Sequence, residues 1–213
     1  MAAVVSADEV LDLYREGLEA VCRLAGELRP RDWTAPTPCA AWRAEQLAGH
    51  LRSVAAYYQR WLDQAPDNDL ARMMASDPPG PVLEQALARY NAAALAALPA
   101  ASGPEHIAAF RELALAYARR LPAAWEQPFF SYRGRWFSAG DHAGVAAAEW
   151  HIHAWDLASS ASRPYRPRDP GLLAEAWTVG VPHLSLGDGD PWKAILVASG
   201  RPATWMPPPA GGG

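Results

Sequence analysis

Glu149, His153 and Asp156 fall at i, i+4 and i+7 within residues 147–157, Ala-Ala-Glu-Trp-His-Ile-His-Ala-Trp-Asp-Leu. The segment reads as helix, and at about 3.6 residues per turn the three side chains share one face. A carboxylate and an imidazole one turn apart can hold the same metal ion. A third donor must come from elsewhere, and His50, in the middle of a second amphipathic stretch, is the candidate. Helical bundles build metal sites in this way, from inward-facing His and Glu on facing helices. Two imidazoles and one carboxylate leave a position open for water or substrate, the pattern of catalytic rather than structural zinc. Nickel (Ni2+) or iron (Fe2+) would accept the same donors. The ion would act as a Lewis acid or stabilise a bound thiolate or enolate oxygen.

Each residue also has a plainer reading. His50 falls on an apolar stripe between Leu47, Leu51 and Val54, where a lone His is usually a hydrogen-bonded core residue. Glu149 interrupts a small-residue run at 144–148 that looks closely packed; a carboxylate there needs a salt bridge, a proton or a cation. Its spacing to His153 favours the cation. His151, two residues from His153, points to a different face and reads as surface or packing. His142 shares the face of Glu149 but lies about 10.5 Å away along the axis, too far for the same ion; it either lines a pocket or sits in the first turn of the helix. Asp156 either accepts the free N–H of a ligand imidazole or forms a helix-terminal salt bridge with Arg163, and the first is favoured. Arg133 and Arg135 flank a turn; they are candidates for holding a carboxylate substrate, or are solvated turn residues. Of ten tryptophans, Trp42, Trp61, Trp150 and Trp155 lie on or beside the ligand-bearing segments, as core filler or pocket lining.

The elements that must position these groups follow from pattern and caps. Ser6 and Glu9 form a capping box ahead of an apolar stripe from Val10 to Leu28, and Pro30 ends it. Two prolines forbid a regular element across residues 32–39. A second helix is predicted over 42–63. Residues 64–81, polar and rich in Pro and Asp, read as a loop or mobile excursion. Helices follow over 82–98 and, opened by Pro104, over 104–121. Aromatic residues around Arg133-Gly134 predict a short β-hairpin over 129–137. Ser138 caps the motif helix, which runs to Ser160. A proline-rich boundary covers 163–170, a helix 172–179 and a loop 181–190. Residues 192–198 fit helix or strand, and 207–213 read as a disordered tail. The expected fold is mainly α: an antiparallel bundle of about four main helices with a small β-hairpin and a short C-terminal extension.

The chain has 213 residues, enough for one substantial core. With 19 Lys and Arg against 23 Asp and Glu the net charge is −4, which argues against nucleic-acid binding. Two cysteines do not make a disulfide framework and suit a reducing compartment. The first ten residues carry Asp8 and Glu9 and do not read as a signal peptide. No run approaches 18 uninterrupted apolar residues, so no membrane span and a cytoplasmic location are expected.

Three segments together resemble a known family. Asp32-Trp33, then Thr37-Pro-Cys-Ala-Ala-Trp42, then Leu47-Ala-Gly-His50-Leu51 are similar to the opening of the mycothiol-dependent maleylpyruvate isomerase N-terminal domain, a branch of the DinB-like metal-binding four-helix bundles. Glu149-x-x-x-His153-x-x-Asp156-Leu157-Ala158 is similar to the family's second signature, and Ser199-Gly-Arg-Pro202 to the close of an actinobacterial branch. The resemblance covers roughly residues 6 to 205. It implies a divalent metal, usually zinc, on His50, Glu149 and His153. It also implies that mycothiol or another low-molecular-weight thiol is cofactor or co-substrate. The metal would lower the thiol's pKa, and the thiolate would add to an electrophile. In the isomerase this addition permits rotation about a cis double bond before elimination. The chain departs from the isomerase in having a short region after the bundle, and in its 64–81 excursion and the tryptophans around Glu149.

These readings combine into one expectation. Residues 1–162 form a DinB-like bundle carrying the metal site, 163–206 an extension packed on it, and 207–213 a tail. The function is zinc-assisted, thiol-dependent isomerisation or transfer on a small electrophile, by a monomer or homodimer that binds no nucleic acid. His50, Glu149 and His153 act through the metal, supported by Asp156, with Arg133, Arg135 and His142 as pocket or substrate contacts. A thiol-independent metalloenzyme of small-molecule biosynthesis, or a non-catalytic protein stabilised by its metal, are the other readings.

Overall fold

The structure is a computed structural model that describes residues 5–39, 42–181, 184–202 and 205. It is mainly helical with one small two-stranded antiparallel sheet, as the DinB-like reading expects. Four long helices make the bundle: α1 (Ala7–Gly26), α2 (Ala44–Gln64), α5 (Gly103–Ala124) and α6 (Ala139–Ser160). α1 lies chiefly along α6 and α2 along α5, and α1–α5 and α2–α6 contacts close the bundle. No helix among the described residues is long and apolar enough to cross a membrane.

Local chemistry sets the starts of these helices. The Ser6 hydroxyl accepts from the Glu9 N–H, and the Glu9 carboxylate accepts from the Ser6 N–H at 2.8 Å. Ser138 and Asp141 make the same reciprocal pair at the head of α6. α2 starts two residues later than expected, after a bridge between Pro36 and Arg43, which leaves Trp42 outside the helix.

The bundle centre is aromatic. Tyr14 of α1, Phe110 of α5 and Trp150 of α6 are fully buried, with Trp150 edge-on to both others at 5.8 and 4.9 Å. α1 and α6 come this close because residue 17 is Gly: a Cβ there would stand 2.9 Å from that of Trp150. The expected hairpin is β1 (Pro128–Tyr132) and β2 (Arg135–Ser138), joined by Arg133 and Gly134, both at positive φ.

Three expectations need correction or completion. The connector over 32–39 is not wholly irregular: its start belongs to a 3-10 turn, Pro30–Thr34, which Pro30 opens at a position that needs no N–H. Residues 64–81 are not a loop throughout: they contain α3 (Asp69–Met74) and the start of α4 (Gly80–Ala96). Asn68 caps α3 by accepting from the Ala71 N–H, and its amide reaches the Phe129 carbonyl at 2.8 Å, tying the segment to β1. Leu70 and Met74 are buried, one turn apart. Six residues are too few to register as a periodic pattern. The undecided segment near the C-terminus is a helix, α8 (Pro191–Ala198), following α7 (Pro170–Gly180). Asp190 caps α8, and Trp192, Ile195 and Leu196 bury one face. α7 packs on α6 and α8 on α7. Residues 207–213, read as a tail, lie outside the described residues.

Candidate metal centre

α2 and α6 bring the three anticipated donors together. His50 Nε2 lies 3.2 Å and His153 Nε2 3.1 Å from the same oxygen, Glu149 Oε1. One ligand atom from each residue fits within 4.8 Å of the others. The two rings meet edge to face at 5.0 Å, and Trp42 stacks on His50 at 4.2 Å. The side chains of His50 and His153 are 1% and 3% exposed, whereas that of Glu149 is 28% exposed. The carboxylate is therefore the face this cluster presents to its surroundings.

The rear of His153 is anchored. Its Nδ1 lies 2.8 Å from Asp156 Oδ2, and Asp156 is fully buried. That carboxylate accepts only, so Nδ1 carries the proton and Nε2 of the neutral ring presents a lone pair. A lone pair facing a carboxylate oxygen at 3.1 Å is repulsive. The contact becomes favourable if the ring is protonated or if a cation takes the space between. A carboxylate behind one imidazole, and that imidazole beside a second and a glutamate, is the donor chemistry of a divalent metal site, and the residues fit one. His50 lacks the matching support: its buried Nδ1 has no hydrogen-bond partner.

The electrostatics follow from these contacts. Burial pushes His50 below the ordinary imidazole range, against the hydrogen bond it donates to Glu149. Burial pushes His153 the same way, but the charges of Glu149 and Asp156 overcome it, and the net direction is upward. Burial raises Glu149, but the two imidazoles, His153 foremost, hold it well below the usual carboxylate range. Asp156 is lowered too: burial opposes ionisation, and the His153 hydrogen bond and Arg201 outweigh it.

Arg201 is the residue that sequence reasoning missed as a partner. Asp156 does not pair with Arg163, which binds Glu27 instead. Arg201 Nη2 donates to Asp156 Oδ2 at 2.7 Å and its Nε to Oδ1 at 3.3 Å. The backbone delivers it through the end of α8. Gly200 stands at φ 77°, its N–H bonds the Val197 carbonyl, and the Arg201 N–H bonds the Leu196 carbonyl at 2.8 Å. This is a Schellman ending, for which only glycine avoids a Cβ penalty. The signal in the sequence was a Gly-Arg pair just past a short apolar run.

The remaining candidates separate. His142 is buried, stacks on Phe129 at 4.4 Å and bonds Tyr117 at 3.1 Å; it lines the same cavity as Glu149 and does not belong to the metal cluster. Burial pushes its pKa down to about 3. His151 is not a surface residue: it is fully buried, donates from Nε2 to the Leu13 carbonyl at 2.9 Å and accepts at Nδ1 from the Tyr165 hydroxyl at 2.6 Å. Arg133 and Arg135 do not join the site. They are exposed on the hairpin, over the rings of Tyr132 and Phe137, and line no part of the cavity that holds Glu149. Trp61 lines that cavity, while Trp150 is core.

The cavity has a volume of about 780 Å³. Tyr57, Tyr58 and Trp61 from α2, residues of α3 and α4, Phe130 of β1, and segments of α6, α7 and α8 line it, and it opens to solvent beside the exposed Glu84 and Val197. Glu149 joins it to the imidazole cluster; the cavity is a ligand-sized, largely apolar-walled space with a few polar groups.

With this geometry in hand, known proteins add a family. Residues 14–158 match the family described as the mycothiol maleylpyruvate isomerase N-terminal domain. Among solved structures, the chain is similar to the crystal structure of the mycothiol-dependent maleylpyruvate isomerase, at 15% identity and a TM-score of 0.46, over 80% of this chain and 67% of that one. No curated protein matches. The family match spans well over half of the sequence, and the chain belongs to the mycothiol maleylpyruvate isomerase N-terminal domain family.

Proposed function

We propose that this protein is a metal-dependent enzyme of the isomerase or transferase type, acting on a small electrophile with mycothiol or a related thiol as co-substrate. His50, Glu149 and His153 would hold one divalent ion, zinc first. The observation that carries the reading is the convergence of three donor atoms within 4.8 Å at the edge of a cavity, with Asp156 behind one of them. The thiol and the isomerase class rest on the family match alone.

The chain's own residues have definable parts in such chemistry. Asp156, held by Arg201, fixes the tautomer and tilt of His153 so that Nε2 stays turned to Glu149. Trp42 covers one face of His50 and keeps water from it. The aromatic cavity wall strips solvent from a bound molecule and orients it against Glu149. When bound, a divalent ion supplies Lewis-acid stabilisation of a thiolate or a substrate oxygen.

Elemental analysis tests the reading. Wild-type protein is expected to hold about one metal equivalent per chain and His153→Ala below about 0.1 after dialysis, because the variant keeps only two of the three protein donors. Equal metal in both overturns the assignment. Turnover of a cis-configured electrophile with and without mycothiol then tests the thiol requirement.

A further inference from the structure

The walls of the Glu149 cavity carry information about charge. All 19 Lys and Arg residues fall within the described residues, and none of them lines the cavity. The cations bonded near it are already committed. Arg60 donates to the Tyr90 hydroxyl and pairs with Asp69, Arg72 binds Asp69, and Arg201 is locked on Asp156. The charged side chains on the described lining are two carboxylates, Glu149 and Glu84. Asn91, a polar group on the α4 wall, already accepts from the Tyr57 hydroxyl at 3.1 Å. What remains is chiefly aromatic and aliphatic, with Trp61, Leu70, Leu83, Leu87 and Phe130 foremost; its other polar side chains, His142, Ser185 and Ser199, carry no formal positive charge.

We infer that the ligand of this centre has a single polar or anionic head, placed at the Glu149 end, and an uncharged aromatic or aliphatic body, and that small dicarboxylates are excluded. The head assignment rests on the metal reading above, because a divalent cation among the three donors exceeds the charge of Glu149 and leaves room for one anion. A second carboxylate drawn into the cavity with the body would find no Lys or Arg on its lining, and at the α4 rim it would face the exposed Glu84. An ionised carboxylate leaving water for such a surface loses far more solvation than apolar contact returns. A cavity of about 780 Å³ has room for a body of bicyclic size.

Calorimetric titration of the full chain tests this, zinc-loaded and after chelation, with 2-naphthol, 2-naphthoate, naphthalene-2,6-dicarboxylate and maleate at one ionic strength. On the zinc-loaded protein, 2-naphthol and 2-naphthoate are expected to bind at least about tenfold tighter than the dicarboxylate, and maleate without saturation. Glu84→Arg is expected to narrow the gap between naphthoate and dicarboxylate by about threefold or more, by removing a repulsion and adding a counter-charge. A dicarboxylate that binds as tightly as naphthoate overturns the inference. So does an absence of saturable binding by both monosubstituted probes, or a gap untouched by Glu84→Arg. The two readings fail separately. A naphthoate affinity indifferent to zinc overturns the metal centre, and with it the head assignment. A favoured dicarboxylate with zinc dependence intact overturns the charge inference alone.

Discussion

Three histidines sit on α6, and the helix puts the same side chain to two uses. His142 and His151 are neutral struts. Each is buried, each bonds a tyrosine hydroxyl, and burial pushes their pKa values down to about 3 and about 4. His153, two residues beyond His151, lies between two carboxylates and is pushed upward. Burial is common to all three, so it does not distinguish structure from function. The partners do: hydroxyls and a carbonyl in one case, Glu149 and the Arg201-held Asp156 in the other.

This contrast can be broken most sharply at His151. His151→Ala is expected to cost about 2–4 kcal/mol of stability, through two lost hydrogen bonds and a cavity at the α1–α6 contact, while metal content stays at about one equivalent. Urea unfolding and elemental analysis on the same sample read both. A variant that loses its metal while keeping its stability would erase the distinction from His153.

Asp156→Asn sharpens the comparison from the other side. On the proposed metal site, affinity should fall about 10–100-fold, because His153 would lose its anchor and its basicity. Competition with a chromogenic chelator measures it. Restored affinity in Asp156→Glu would separate a positioning role from simple loss of fold.

The pH dependence of stability tests the struts. His142 titrates near 6.5 when unfolded and at about 3 when folded. Above pH 6.5 it is neutral in both states and contributes nothing. Below that the unfolded chain takes up a proton that the folded one refuses, so stability falls as pH falls, by up to about 1.4 kcal/mol per pH unit, until about pH 3. Urea midpoints between pH 7.5 and 5 should therefore have a shallower slope in His142→Gln than in wild type. Equal slopes would mean that His142 is protonated in the folded protein.

Gly200→Ala carries the smallest expected effect. A Cβ at φ 77° costs about 1–2 kcal/mol and loosens the chain end that carries Arg201. Thermal unfolding should show the loss, with a metal affinity reduced by less than in Asp156→Asn.

The helices and caps were legible because their determinants are local. Ser6 with Glu9, Ser138 with Asp141, and the stripe around His50 act within four residues of themselves. The pairing of Glu149 with His153 was legible for the same reason, since both lie on one helix. The short α3 was not, because Asn68 at its head is held by the Phe129 carbonyl of a strand about sixty residues away, and α3 packs on that strand rather than showing a period of its own. Nor was the burial of His151, whose partners Leu13 and Tyr165 come from α1 and from beyond the end of α6.

Residue type and spacing alone thus settled which side chains of α6 share a face and that His50 belongs to an apolar stripe. Only the packing of α2 on α6 decided that His50 Nε2 meets the Glu149 oxygen, and only the folded-back end of α8 decided that Arg201, rather than Arg163, holds Asp156. Helical period is a property of neighbours in the chain. A charge partner 45 residues away is a property of how the chain returns on itself, and it is set by the sum of many apolar contacts that no single stretch of sequence displays.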